Sequence, residues 1–325
     1  MRVVMPYYGI PTGQTDEDVA MAYNRYILTD LLRDQLGFEG VICTDWGVVT
    51  GRIWGVEPLT VEERYLKSIQ AGVDQYGGES DPEYVVDLVN QGAISEARID
   101  ESVRRILRNK FDLGLFETPF VDEAEVNALV NLREYVSLGM TAQRNAVVLL
   151  DNESHALPLA AKTRIFVDGL DPSVAANYGT VVDTPDEADV VLLFLNTVFN
   201  GNQPAGTDRT FDQMMASRFP DTNLAFSEEI LTKAASYRDV SQLVTLVDLN
   251  RPAVLTGLKD MSGALVGTFG VSDEAMLDIV FGRHNPVGKL PFELPSSMAE
   301  VEAQLEDVPD DTANPLFPYG WGLSY

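Results

Sequence analysis

Short hydrophobic runs and helix-length segments take turns along this chain, and that alternation restricts its fold more than any other feature. Residues 2–8 read as a strand that ends in the turn-rich loop Gly9-Ile10-Pro11-Thr12-Gly13. A helix is expected over 19–36, where Ala20, Tyr23, Ile27, Leu31 and Leu32 recur at helical spacing, with Asp16 or Thr15 placed to cap it and Gly37 to stop it. A β-branched strand follows at 41–44, a helix at 61–71, a strand at 72–76, and helices at 82–90 and 95–113. Strand–helix alternation is the pattern of a parallel α/β structure. Three strands cannot close an eight-stranded barrel, so a barrel would need further strands upstream.

Residues 117–122 read as a connector, 123–144 as one helix and 146–150 as a strand. A second α/β unit then has core strands at 164–168, 190–195, 243–248 and 264–269, and helices near 224–236 and 273–281. Its strands are nearly continuous apolar runs, as expected when helices cover both faces of a sheet. Residues 198–221 carry Gly, Asn, Pro and Asp without a clean period and read as a long loop, a type often used for function.

Composition removes several function classes. The chain has 50 acidic and 23 basic residues and a net charge of −27, the wrong sign for a nucleic-acid footprint. A carboxylate-rich, lysine-poor surface suits high salt, where screening weakens self-repulsion; a merely acidic enzyme is the other reading. No apolar run reaches the ~18–20 residues that span a bilayer, so no membrane partner is expected. The first residues lack the ~7–15-residue apolar stretch of a signal peptide, leaving location open between cytoplasm and export with a missing N-terminus. Cys43 is the single cysteine and lies in an apolar run, where an inert buried thiol is expected. His155 and His284 are far apart, no zinc spacing exists, and neither metal nor cofactor is expected.

Asp45 carries the sharpest chemical suggestion. It follows a short hydrophobic strand, where a carboxylate can attack an anomeric carbon, and Trp46 beside it offers an indole to a sugar face. By itself such an aspartate is more often a helix cap or a turn residue. Its setting is Leu32-Arg33, then Leu36-Gly37-Phe38-Glu39-Gly40-Val41-Ile42-Cys43-Thr44-Asp45-Trp46. This closely resembles the nucleophile signature of glycoside hydrolase family 3, with Thr44 in place of the usual serine. The resemblance continues in order along the chain. Val4-Met5-Pro6-Tyr7-Tyr8 resembles the strand before the nucleophile, with Tyr8 in the place of a tyrosine beside it. Ala71-Gly72-Val73-Asp74 resembles the last barrel strand, and Arg104-Arg105-Ile106-Leu107 with Gly114-Leu115-Phe116 the helix that closes the first domain. Ala146-Val147-Val148-Leu149-Leu150-Asp151-Asn152 and Leu157-Pro158-Leu159 resemble the opening of the second domain. Asn250-Arg251-Pro252, Asn285-Pro286-Val287-Gly288-Lys289-Leu290-Pro291 and Tyr319-Gly320-Trp321-Gly322-Leu323-Ser324-Tyr325 resemble its later signatures.

The resemblance implies a partial (β/α)8 TIM-type barrel at 1–116, a linker and connecting helix at 117–145, and an α/β sandwich at 146–325. It implies an exo-acting retaining β-glycosidase of β-glucosidase or β-xylosidase type, with Asp45 as nucleophile and Tyr8 and Trp46 against the sugar. Two departures stand out. The first half of the barrel, with the family's Lys-His pair, is missing, which suggests a fragment or one chain of a split enzyme, partnered by a complementary N-terminal barrel chain or by a second copy. The family's acid/base Glu falls at Ala205 in Ala205-Gly206-Thr207-Asp208-Arg209, which leaves Asp208, or Asp212, as candidate acid/base; the plainer reading makes both solvated loop residues, one of them paired with Arg209. Asp74 is expected to be structural, His284 a turn residue, and Tyr319 and Trp321 either a sugar platform or packing. The alternative function is a non-catalytic carbohydrate-binding or scaffolding remnant.

Overall fold

A computed structural model describes residues 1–130, 132–197, 223–305 and 308–325. It divides into two compact units, Met1–Ala128 and Leu129–Tyr325. The first unit holds a three-stranded parallel sheet in the order β1 (Val3–Val4), β2 (Val41–Trp46), β3 (Gln75–Gly77). The strand expected over 2–8 shrinks to two residues. It lies at the sheet border, and Pro6 has no amide hydrogen to give a ladder.

The helix expected over 19–36 is also divided. A single turn, Met21–Tyr23, is followed by a wide π-type helix, Tyr26–Gln35. Asn24 makes the break: its Oδ1 accepts the Ile27 amide at 3.1 Å and its Nδ2 donates to Thr15 Oγ1 at 2.7 Å. The capping residue is therefore Asn24, with Thr15 as its support, rather than Thr15 or Asp16 alone. Helix α1 (Val61–Ala71) forms where expected. Thr60 and Glu63 make a reciprocal capping box at its start, and Gly72 closes it at φ +119°. Helices α2 (Pro82–Asn90) and α3 (Glu96–Asp112) follow, the latter capped by Ser95. Tyr65, Ile69, Leu88 and Ile94 bury their apolar faces in one cluster, and Leu28, Ile42, Ala71 and Val73 in another.

The helix expected over 123–144 is two helices, Glu123–Leu129 and Arg133–Ala146. The second unit is built on a six-stranded sheet. Its strands are β4 (Val148–Asp151), β5 (Arg164–Asp168), β6 (Thr180–Val181), β7 (Val190–Asn196), β8 (Gln242–Asp248) and β9 (Ala264–Thr268), ordered β4-β9-β8-β7-β5-β6. All pairs are parallel except β4 with β9. Alternate residues serve opposite faces. Leu149, Leu192, Leu246 and Val266 enter one core, while Val148, Leu150, Leu193 and Val247 enter the other. Burial on both faces explains the unbroken apolar runs. The outer border of β4 is covered by residues 321–325: Leu323 donates its amide to Leu149 O and Trp321 Nε1 donates to Leu150 O, both at 2.8 Å.

Candidate active site

The strand β2 delivers Asp45 through an irregularity. Cys43 faces Gln75 and Trp46 faces Gly77, so β2 uses one more residue than β3 over the same span. This is a β-bulge, a device that re-aims a side chain. Within it the buried Thr44 turns its hydroxyl across the sheet and accepts the Gly77 amide at 3.0 Å. The strands come so close that a Cβ on Gly77 would sit 2.7 Å from Thr44 O. Asp45 is left partly exposed at the carboxyl end of the strand, with Oδ1 accepting the Trp46 amide at 2.7 Å. Burial first, then the neighbouring Asp45 carboxylate, pushes the Cys43 thiol up.

Four further side chains gather around this strand end. The Tyr8 hydroxyl donates to Trp46 O at 2.7 Å. Burial, followed by the nearby Asp45 carboxylate, pushes the Tyr8 phenol up to about 12, so it remains a proton donor at neutral pH. Arg52 is only 5% exposed and donates from Nη1 to the same Trp46 carbonyl at 2.5 Å. Its guanidinium lies 5.1 Å from the centre of the Tyr8 ring, whose edge also meets Trp54 at 5.6 Å between centroids. The Trp46 indole is 68% exposed and rests on Gly78, where a Cβ would come within 2.2 Å of the ring at a φ of +69°. The result is one carboxylate, one phenol, one guanidinium and an open indole face at a single strand end. Arg52 and Trp54 were not legible in the sequence, since they follow the strand by a loop whose course no local pattern gives. The one available signal was Gly47, whose φ of +68° lets the turn fold back.

Asp74 occupies the opposite end of the strands and does other work. Its carboxylate is fully buried and accepts the Ile42 amide at 2.9 Å. It also meets Arg33 at 2.6 Å, Arg105 at 2.8 Å and the Ser102 hydroxyl at 2.7 Å. Burial alone would raise its pKa, but the Ile42 amide, Ser102, Arg105 and Arg33 outweigh it and hold the carboxyl below the usual range. This cluster ties the Tyr26–Gln35 helix, β2 and α3 together. A cavity of about 690 Å³ lined by Arg33, Lys67, Gly72, Arg98 and Arg105 opens on that side and is not lined by Asp45.

The remaining sequence candidates fall elsewhere. Asp208, Asp212, Ala205 and Arg209 lie outside the described residues. Trp321 packs against Phe317 at 5.8 Å and spends its indole N–H on Leu150 O, whereas Tyr319 is 62% exposed. His284 contacts Asn145 Oδ1 at 3.0 Å.

Two family descriptions match this chain: the glycosyl hydrolase family 3 N-terminal domain over residues 2–109 and the family 3 C-terminal domain over residues 175–325. The chain belongs to glycosyl hydrolase family 3. It is 44% identical to the "probable beta-glucosidase C" of Aspergillus flavus over 337 residues, covering 99% of this chain and 52% of that protein. It is 39% identical to the "periplasmic beta-glucosidase/beta-xylosidase" of Dickeya chrysanthemi over 349 residues, again 99% of this chain and 52% of that protein. This family 3 chain therefore spans about half the length of the curated relatives it matches. Its fold is that of the beta-glucosidase from Listeria innocua in complex with isofagomine, with a TM-score of 0.75 at 23% identity, covering 94% of this chain and 50% of that one. The exo-1,3/1,4-beta-glucanase of a Pseudoalteromonas species gives a TM-score of 0.76 at 23% identity over 99% of this chain and 57% of that one.

Proposed function

We propose that this family 3 chain carries the nucleophile of an exo-acting retaining β-glycosidase that cleaves β-glucosides or β-xylosides from the non-reducing end. The observation that carries the reading is the placement of Asp45 at the carboxyl end of β2, partly exposed beside an open indole. Asp45 attacks the anomeric carbon through the oxygen not held by the Trp46 amide, and Tyr8 and Trp46 contact the sugar. Water then releases the glycosyl-enzyme intermediate with a second carboxyl group acting as acid and base, for which Asp208 is the candidate. This chemistry asks only for carboxyl groups and water. The names of the Aspergillus and Dickeya relatives support the choice of sugars.

In this reading residues 1–116 belong to a (β/α)8 barrel, 117–145 connect, and 146–325 form the α/β sandwich. The remaining barrel strands come from a complementary segment or chain, because the relatives are about twice as long. The competing reading is a carbohydrate-binding remnant without turnover. A 2-deoxy-2-fluoro-β-glucoside that leaves a covalent label on the peptide containing Asp45 supports the enzyme. A label on any other residue overturns the assignment of Asp45, and sugar binding with neither label nor turnover of an aryl β-glucoside selects the remnant.

A further inference from the structure

We infer that Arg52 is a positioning residue of the Asp45 site, acting through the backbone of Trp46. The inference rests on the glycosidase reading for its kinetic consequence and on geometry alone for its structural one.

The ladder between β2 and β3 ends at the pair Trp46↔Gly77. Beyond it the Trp46 carbonyl points to side chains, and two of them meet it: Tyr8 OH at 2.7 Å and Arg52 Nη1 at 2.5 Å. A carbonyl oxygen has two lone pairs, so these donors fill it. At the other side of the same residue, the Trp46 amide is given to Asp45 Oδ1 at 2.7 Å. Trp46 is thus tied at both backbone ends, one to the carboxylate and the other to Arg52 and Tyr8. Movement of the Trp46 backbone would carry the Asp45 carboxylate with it.

The loop is built to bring Arg52 to this point. Gly47 turns at φ +68°, its carbonyl accepts the amides of Gly51 at 2.9 Å and Arg52 at 2.7 Å, and the chain folds back on the strand end. A side chain at position 47 would intrude, since a Cβ there would lie 2.9 Å from Arg52 Nη1. The guanidinium also lies against the Tyr8 ring, so one group restrains both the phenol and the strand end. A guanidinium spreads its charge and donors over a rigid plane that reaches the carbonyl and the ring together, whereas an ammonium is a compact point charge.

The test compares Arg52→Lys and Arg52→Met with the unaltered full chain by crystallography and by kinetics on an aryl β-glucoside, with active sites counted by fluoro-sugar labelling. In Arg52→Met the Asp45 carboxylate leaves the Trp46 amide and the Tyr8 ring shifts, while the Asp74 cluster is unchanged. Per active site, kcat falls about 100-fold, the scale of a misplacement near 1 Å, with KM altered far less, and Arg52→Lys recovers little of it. A purely structural arginine would lower the fraction of labelled enzyme and leave kcat per labelled site unchanged. Asp45, Trp46 and Tyr8 holding their positions in Arg52→Met would overturn the inference. Should the unaltered chain neither turn over nor label even when supplied with the complementary barrel segment, the glycosidase reading fails by itself and the crystal structures decide the role of Arg52.

Discussion

Thr44 holds the amide of Gly77 through its side chain, at 3.0 Å, at the one place where β2 and β3 fall out of step. A hydroxyl is what this position requires, and the serine usual in the family would supply the same oxygen. Thr44→Ser is therefore expected to stay within about 1 kcal/mol of the parent. Thr44→Val leaves a half-buried amide without an acceptor and should cost about 1 kcal/mol in urea unfolding.

Tyr8→Phe removes one of the two donors on the Trp46 carbonyl but keeps the ring beside Arg52 and Trp54. The loss should be near fivefold in kcat, the equivalent of about 1 kcal/mol for one hydrogen bond. Since the phenol titrates only at about 12, the ratio of the two rates should be constant across neutral and mildly alkaline pH. Parallel pH profiles of parent and variant check this, and a ratio that changes with pH contradicts it.

Asp74→Asn should unfold the first unit more readily, by about 3–5 kcal/mol, because Arg33, Arg105 and also Arg98, 3.8 Å away, lose a buried counter-charge. The folded protein holds this carboxyl below its unfolded value, so the cluster stabilises the fold above about pH 3.9 and its contribution fades as the pH falls through the folded value. Thermal melts in acid should therefore decline for the parent and run flatter for Asp74→Asn.

With a net charge of −27, the melting temperature should rise with added sodium chloride, as the screening length shortens from ~10 Å at 0.1 M to ~3 Å at 1 M. Melts over that range check the expectation, and a flat response would show that self-repulsion is unimportant here.

Elements governed by local signals were legible in the sequence. Helix α1 carries its own start in Thr60 and Glu63 and its own stop in Gly72, and it forms over the expected residues. The apolar strands of the second unit announced their burial. Features that depend on what lies opposite were not legible. The bulge at Thr44 exists only relative to β3, and register is not written in either strand alone. The antiparallel placement of β4 depends on β9, more than a hundred residues away. Asn24 reads as an ordinary polar residue inside an apolar period until its two side-chain bonds are seen. Asp45 and Tyr8 were visible because a family motif surrounds them, whereas Arg52 belongs to no such motif and reaches the site only through the turn at Gly47.

The cover over β4 sets an order of events during synthesis. Leu150 leaves the ribosome long before Trp321, whose indole N–H it must receive across 171 residues of chain. At bacterial or eukaryotic elongation speeds that interval is roughly 10–30 s. Throughout it, one flank of the first strand of the second unit has no covering segment from its own chain, and nascent copies on one polysome can pair there instead. Slow translation of the final stretch would therefore lower the yield of folded protein without altering a single contact in the finished molecule.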